Sequence, residues 1–206
     1  MPWRIWFVFD LGNVVVKLAY ERVIARLCAS CDLGRDELIR LLEKPGGYRD
    51  LERGALTFHE FYEFLRERAG YRESFRSLQE LWADFFDGSV DGIEDLLDRV
   101  RREYRVAFLS NSNEIHAEVI PREFAQLFEK DDRFIFSHRL ECAKPDPAIF
   151  QHALEILGAL PSQVVYTDDL PENVEAAIAA GITAFKFTTA HELTETLERE
   201  GILPAR

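Results

Sequence analysis

The apolar residues change their spacing twice along the chain. A run at positions 4–9 that is rich in Ile, Trp, Phe and Val predicts a fully buried strand. From about Tyr20 to Phe86 the apolar residues recur at helical spacing, and no strand pattern is present. The breaks at Pro45-Gly46-Gly47 and Ala69-Gly70 divide this stretch into about four predicted helices.

After Gly92 the helix and strand patterns alternate. The predicted strands are 105–109, 134–136, 164–167 and 182–187, and the predicted helices between and after them include 147–157 and 172–180. Alternating β and α units indicate a parallel sheet with helices on both faces. We therefore predict an α/β fold in which residues 1–16 and 91–206 form a doubly wound, Rossmann-like core. Residues 17–90 are predicted to be an inserted α-helical cap over the carboxyl edge of the sheet.

The composition narrows the class of protein. With 206 residues, 47% of them hydrophobic, the chain can bury one core and a smaller appended unit. The net charge of −12 disfavours binding to nucleic acid or to an anionic membrane, because both need a basic surface. An anionic substrate must therefore be held by local cations.

The early apolar run and the cysteines suggest a cytoplasmic protein. The run from Ile5 to Phe9 is too short for a signal peptide or a membrane span. Cys28 and Cys31 form a lone CxxC inside a helical pattern, and the third cysteine, Cys142, is far away in sequence. We expect reduced, partly buried thiols, not a zinc or redox centre.

Polar side chains that could take part in catalysis follow three of the predicted strands. Asp10 follows the first strand, Ser110 and Asn111 follow the second, and Asp168 and Asp169 follow the strand at 164–167. In open α/β sheets, ligands bind beyond the carboxyl ends of the strands. An acid, a hydroxyl and an acid pair at that edge indicate a site for magnesium and phosphoryl transfer.

A lysine completes the set. Lys144 opens a predicted helix whose start is marked by Asp146 as N-cap and Pro147 at the first helical position. Each of these side chains has an ordinary alternative role: a loop cap, a turn residue, a solvated charge or a helix cap. The shared order, spacing and strand-end placement favour one common site over these separate roles.

Three motifs resemble those of the haloacid dehalogenase superfamily, whose members are mostly phosphatases. They are Lys-Pro-Asp-Pro at 144–147, Thr-Asp-Asp at 167–169 followed by Asn173, and Phe-Asp-Leu-Gly-Asn-Val at 9–14. The last resembles a subgroup with a small helical cap that includes sugar-phosphate phosphatases, such as a bacterial α-glucose-1-phosphate phosphatase. In the cap the similarity is loose and centres on Glu52-Arg53-Gly54.

The resemblance implies a role for each of these residues. Asp10 would be the nucleophile that forms an aspartyl-phosphate. Asp10, Asp169 and the main-chain carbonyl of Gly12 would bind Mg²⁺. Asp168 and Asn173 would support this site without binding the metal directly. The groups that would hold the phosphate are the backbone of Leu11 and Gly12, Ser110, Asn111 and Lys144.

Electrostatics also favours a metal. Three carboxylates and a phosphate dianion face one lysine, and each like-charged pair costs roughly 4 kcal/mol at about 4 Å and an effective dielectric constant near 20. A divalent cation relieves this repulsion. The acid count argues against a haloacid dehalogenase, since those enzymes use no metal and lack the acid found here as Asp169.

The first motif departs from the usual pattern at Gly12. Most phosphatases of the superfamily carry an Asp there that protonates the leaving alkoxide, a contribution of about 10²–10⁴-fold. Another residue or water could replace it, and the candidates are Tyr48, Arg49, Arg53, His59 and His116.

The resembling subgroup also carries glycine at this position and contains active phosphatases. We therefore expect a Mg²⁺-dependent phosphatase of small phosphorylated metabolites. The alternatives are a non-catalytic phosphometabolite-binding or regulatory protein and a phosphotransferase.

Overall fold

A five-stranded parallel sheet forms the centre of the larger part of the molecule. The computed structural model describes residues 5–205. Residues 1–4 and 206 of the predicted core lie outside this range, including the first residue of the strand predicted at 4–9. The strands are β1 (Trp6–Phe9), β2 (Val16–Leu18), β3 (Phe86–Ser89), β4 (Arg105–Ser110), β5 (Arg133–Phe136), β6 (Val164–Asp168) and β7 (Thr183–Lys186).

The helices fall into two groups. Those between β2 and β3 are α1 (Tyr20–Ala29), α2 (Arg35–Leu42), α3 (Tyr48–Glu52), α4 (Phe58–Ala69) and α5 (Phe75–Ala83). Those after β3 are α6 (Ile93–Arg101), α7 (Glu114–Glu123), α8 (Pro147–Leu157), α9 (Pro171–Ala179) and α10 (Ala190–Arg199).

The sheet has the strand order β5-β4-β1-β6-β7, and every pairing in it is parallel. Phe9, the last residue of β1, lies beside Phe108 of β4 and Thr167 of β6. The chain winds outward from β1 in both directions, so the topological switch point lies at the carboxyl end of β1. The predicted α/β class and the parallel sheet are confirmed.

Both faces of β1 are buried, as its unbroken apolar sequence predicts. Phe7 and Phe9 pack into the core that also holds α6 and α10. Trp6 and Val8 point to the opposite face and pack with residues of α8 and α9. This alternation is the period of a strand covered on both sides.

The helices α1–α5 form a second apolar core of their own. Its aromatic centre is Trp82, whose ring lies 5.8 Å from that of Phe58 and 5.2 Å from that of Phe61, measured between centroids. Helix α4 starts at a capping box between Thr57 and Glu60, which satisfies the first backbone N–H groups.

The prediction for the insertion was wrong in two details. Five helices are present among residues 20–83, where about four were predicted. An antiparallel ribbon of β2 and β3 joins the helical unit to the sheet at the two ends of the segment 17–90, which was predicted to be helical throughout. These strands have only three and four residues, and β3 includes Gly88, so their apolar alternation is too short to detect. The predicted cap limits, positions 17 and 90, fall inside β2 and one residue beyond β3.

The segment before α8 also differs from prediction. Asp146 caps α8 as expected, accepting a hydrogen bond of 2.9 Å from the N–H of Ala148. Lys144, however, does not open the helix, because α8 begins three residues later at Pro147. The loop position of Lys144 lets its side chain reach the sheet edge.

Candidate active site

Asp10 lies directly beyond β1, at the switch point of the sheet. Its N–H donates to the carbonyl of Thr167 at 2.9 Å, which continues the pairing of β1 with β6 for one residue. The residue is 7% exposed, so the backbone presents a nearly buried carboxylate at the carboxyl edge of the sheet.

Lys144 joins the carboxylates that come from different strands. Its Nζ atom donates to Asp10 Oδ1 at 2.6 Å, to Asp168 Oδ2 at 2.7 Å and to the carbonyl of Leu109 at 3.0 Å. With three acceptors, the ammonium group is fully hydrogen-bonded, and burial of its charge is offset by two opposite charges.

Asn111 holds the loop that carries this lysine. The N–H of Lys144 donates to Asn111 Oδ1 at 2.8 Å, and Asn111 Nδ2 donates back to the carbonyl of Lys144 at 2.9 Å. The two bonds attach the loop before α8 to the end of β4. They place Lys144 within reach of Asp10.

Asp168 is completely buried and has partners on both oxygens. Oδ1 accepts from the N–H of Leu170 at 2.9 Å and from Asn173 Nδ2 at 3.0 Å, while Oδ2 accepts from Lys144 and from the hydroxyl of Tyr166. Burial opposes ionisation, but Lys144 and these hydrogen bonds outweigh it and hold the pKa of Asp168 below its ordinary value.

The other two acids are harder to ionise. Burial, together with the charges of Asp168 and Asp169, raises the pKa of Asp10 to about 7 even though Lys144 lowers it. Burial and the charge of Asp168 also raise the pKa of Asp169. The three side chains each place one carboxylate oxygen within 4.8 Å of the others. A cluster of oxygen donors with surplus negative charge fits a hard divalent cation such as Mg²⁺.

The groups predicted to hold phosphate lie beside these acids. Ser110 ends β4, is buried, and lines the same cavity as Asp10, Gly12, Asn111 and Lys144. Leu11 lies within the turn that follows β1, where its carbonyl accepts from the N–H groups of two later residues. The structure therefore brings the residues named from sequence to one edge of the sheet.

A cavity of about 240 Å³ separates this edge from the helical unit. Tyr48 and Glu52 of α3 and Phe85 line it from the helical unit, and Asp10 and Asp169 line it from the sheet unit. Its apolar lining includes Leu18, Phe86 and Ile120. A substrate in this cavity would place its polar end on the acid cluster and the rest against α3.

Hydrogen bonds attach α3 to the sheet unit. The hydroxyl of Ser137 donates to the carbonyl of Glu52 and accepts from the N–H of Ser112 at 2.8 Å. Gly54 packs so closely on His138 that an added Cβ would lie 2.1 Å from the His138 carbonyl oxygen. The Glu52-Arg53-Gly54 segment is thus a docking point that places Glu52 over the cavity.

Sequence reasoning missed Glu52 as a candidate side chain for chemistry. It had singled out the segment only for its similarity to the family, while the position of the carboxylate depends on the docking of α3. Of the proton-donor candidates, Tyr48 and His116 line the cavity, whereas Arg49, Arg53 and His59 are exposed side chains of the helical unit.

His116 is a weak proton carrier in this setting. It is buried between the rings of Phe85 and Phe86, at centroid distances of 5.0 and 4.9 Å, and Asn113 Nδ2 lies 3.2 Å from its Nδ1. Burial lowers the pKa of His116 to about 3. The imidazole is therefore neutral across the physiological range.

Residues 6–181 match a family of haloacid dehalogenase-like hydrolases. The chain belongs to this family, which confirms the resemblance read from its motifs. The narrower subgroup stays a prediction.

Two characterised relatives are phosphatases by name. A D-ribitol-5-phosphate phosphatase from Bacteroides thetaiotaomicron is 24% identical over 184 residues, which are 87% of this chain and 89% of the relative. A phosphorylated carbohydrates phosphatase from Thermotoga maritima is 26% identical over 135 residues, 66% of this chain and 52% of the relative.

Solved structures show the same fold. A haloacid dehalogenase family enzyme from B. thetaiotaomicron superposes with a TM-score of 0.82 at 25% identity, covering 95% of this chain and 99% of that one. The same enzyme in complex with magnesium and inorganic phosphate gives a TM-score of 0.76 at 26% identity, over 90% and 94%. An L-2-haloacid dehalogenase gives 0.70 at 17% identity, over 96% and 100%, which is a likeness of fold alone.

The lengths and hydropathies of the helices can be compared with those of a membrane span. Within residues 5–205, none of them is both long enough and apolar enough to cross a bilayer.

Proposed function

We propose that this protein is a Mg²⁺-dependent phosphatase of small phosphorylated carbohydrates that works through an aspartyl-phosphate. The observation that carries the proposal is the contact of Lys144 with both Asp10 and Asp168 beside a third acid, Asp169. This arrangement offers a nucleophile, a cation for phosphate and a set of metal ligands at one point.

The comparisons support the reaction and its substrate class. The relatives described above act on ribitol 5-phosphate and on phosphorylated carbohydrates, and the related enzyme was crystallised with magnesium and phosphate. The cavity of about 240 Å³ suits a small metabolite.

Asp10 is the nucleophile. Its carboxylate attacks phosphorus in line with the leaving oxygen, and water later releases phosphate from the acyl phosphate. Asp10, Asp169 and the carbonyl of Gly12 would hold Mg²⁺, which supplies positive charge to the phosphate oxygens. Asp168 and Asn173 position Lys144 and the acid cluster by the hydrogen bonds described above.

Lys144 has two roles in the proposed reaction. It neutralises part of the charge that develops on the transferred phosphoryl group, and its charge lowers the pKa of Asp10 against the effect of burial. Ser110, the side chain of Asn111 and the backbone of Leu11 and Gly12 complete the phosphate site.

Haloacid dehalogenation fits the site less well. An acid cluster of Asp10, Asp168 and Asp169 leaves a negative surplus that a metal-free carboxylate nucleophile would not need.

The test is a screen of phosphorylated carbohydrates with Mg²⁺ and with excess EDTA, using Asp10→Asn as control. We expect Mg²⁺-dependent phosphate release that EDTA and Asp10→Asn both abolish, since the variant keeps the shape of Asp10 but lacks its nucleophile. Undiminished turnover in EDTA or in Asp10→Asn would contradict the proposal. Tight Mg²⁺-dependent binding without turnover would favour a non-catalytic binding protein. Phosphoryl transfer to added glycerol in place of water would favour a phosphotransferase.

A further inference from the structure

The cavity lacks a carboxylate at position 12, so the proton for the leaving oxygen must come from another group. Tyr48, Glu52 and His116 are ionisable side chains that line it apart from the acid cluster and Lys144. His116 is neutral, and burial and Glu52 keep the pKa of Tyr48 well above its ordinary value. The ammonium group of Lys144 is bound to two carboxylates.

We propose that Glu52 carries the proton in both steps of the reaction and replaces the acid absent at Gly12. The proposal rests on the phosphatase function argued above. It assigns to α3 a catalytic residue that touches the leaving oxygen and then the attacking water.

Backbone contacts of the segment from Glu52 to Gly54 determine where Glu52 lies. Its backbone carbonyl accepts from Ser137, and Gly54 rests on the backbone of His138. Glu52 is the last residue of α3, and these contacts place it where it lines the same cavity as Asp10. A carboxyl group that lines the same cavity as the nucleophile, on a segment anchored to the sheet unit, is placed to act as a general acid.

The surroundings of Glu52 favour an acid that can be protonated near neutral pH. Burial raises the pKa of Glu52 to about 7, although a hydrogen bond from Tyr48 and the charges of Lys144 and Arg49 lower it. Asp10, Asp169 and the uncharged His116 line the same cavity. A carboxyl group that titrates near the working pH can donate in one step and accept in the next.

The proposed reaction has two chemical steps. In the first, the Asp10–phosphorus bond forms, the bond from phosphorus to the leaving oxygen breaks, and the Glu52 carboxyl proton moves to that oxygen. In the second, water attacks phosphorus, its proton moves to the Glu52 carboxylate, and the bond from Asp10 to phosphorus breaks. Glu52 ends protonated and Asp10 ends ionised, so the cycle is complete.

Glu52→Gln tests this role because glutamine keeps the shape and removes the proton. With p-nitrophenyl phosphate, whose leaving group needs little protonation, kcat/KM should stay within about threefold of wild type, while kcat falls by about 10²-fold. A burst of p-nitrophenolate should precede the slow steady state, because the aspartyl-phosphate forms but water is not activated. With glycerol phosphate, kcat/KM should itself fall by about 10²-fold.

Glu43→Gln is the matched control, since Glu43 is an exposed carboxylate of the same helical unit that does not line this cavity. We expect it to behave as wild type with both esters. An equal fall of kcat/KM for both esters in Glu52→Gln would overturn the proposal, and so would an absence of any fall. A wild-type protein without Mg²⁺-dependent, Asp10-dependent turnover of either ester would overturn the phosphatase function itself.

Tyr48→Phe provides a second test that does not alter the acid. Loss of the hydroxyl that donates to Glu52 raises the pKa of Glu52, so the protonated form persists to higher pH. In the pH profile of kcat/KM for glycerol phosphate, the decrease at basic pH should therefore begin at a higher pH than in the wild type. If the pH profile of Tyr48→Phe decreases at the same pH as that of the wild type, Glu52 is not the general acid.

Discussion

The Cδ1 atom of Leu18 lies 3.0 Å from the point that a Cβ atom on Gly12 would occupy. Leu18 therefore fills the space in which an acid at position 12 would begin. Contact at this distance is tighter than normal packing, but Leu18 Cδ1 is the end of a side chain, and partly exposed.

Gly12→Asp should destabilise the protein by about 1–3 kcal/mol, because Leu18 must move to admit the new side chain. Urea unfolding of Gly12→Asp, Leu18→Ala and the double variant measures the change in the free energy of unfolding. The double variant should be more stable than the sum of the single effects predicts, by about 1 kcal/mol. Strict additivity would show that the two residues do not compete for space.

Lys144→Ala should lower kcat/KM by about 10²-fold or more, by analogy with the loss of one donor to a transition state. Without Mg²⁺ it should also lower the free energy of unfolding by about 3–5 kcal/mol, because Asp10 and Asp168 lose their buried cation. The exposed Lys130→Ala is the matched control. A decrease in kcat/KM of less than about tenfold would show that Lys144 does not bind the phosphate in the transition state.

Asp169→Asn should weaken Mg²⁺ binding and raise the Mg²⁺ concentration needed for half-maximal activity. The variant removes one charged oxygen from a cluster of three, so the effect should be about tenfold or more in metal affinity. Calorimetric titration with MgCl₂ measures it directly. The exposed Asp131→Asn should bind the metal as the wild type does. Equal affinity in the two variants would show that Asp169 is not a ligand.

His116 should make the protein less stable in acid. Its pKa falls from 6.5 to about 3 on folding because burial disfavours the charged ring. Below the unfolded pKa only the unfolded chain takes up this proton, so the free energy of unfolding decreases as pH falls, by about 1.4 kcal/mol per pH unit from this group.

His116→Phe keeps an aromatic ring between Phe85 and Phe86 but cannot titrate. The stability of the wild type relative to this variant should decrease by about 1.4 kcal/mol for each unit of pH below 6.5, measured by urea unfolding. A difference that is constant with pH would mean that the imidazole is protonated in the folded state.

The sequence predicted the sheet and its edge well because both depend on local patterns. The runs at 4–9, 105–109 and 164–167 are apolar over the length of a strand, and the structure has strands at Trp6–Phe9, Arg105–Ser110 and Val164–Asp168. In a parallel sheet the residue after each strand lies at the same edge. Asp10, Ser110 and Asp168 could therefore be assigned to one site without coordinates.

Local sequence patterns could not predict contacts between loops that are far apart in the chain. The two hydrogen bonds between Asn111 and Lys144 join residues 33 positions apart and determine where the lysine lies. The sequence placed Lys144 at the start of a helix, which is wrong, because the cap at Asp146 fixes the helix start but does not describe the loop before it. The short strands β2 and β3 were missed for lack of a detectable alternation.

By itself the sequence determined the family, the α/β class and the acid, hydroxyl and lysine groups of the candidate site. These follow from short motifs and from periodicities that a local stretch of chain carries. Only the tertiary structure showed that Leu18 fills the space beside Gly12 and that Glu52 lines the same cavity as Asp10 and Asp169. Both depend on how a helical unit packs on a sheet through Ser137 and Gly54, and packing between distant segments is set by the shape of both surfaces together.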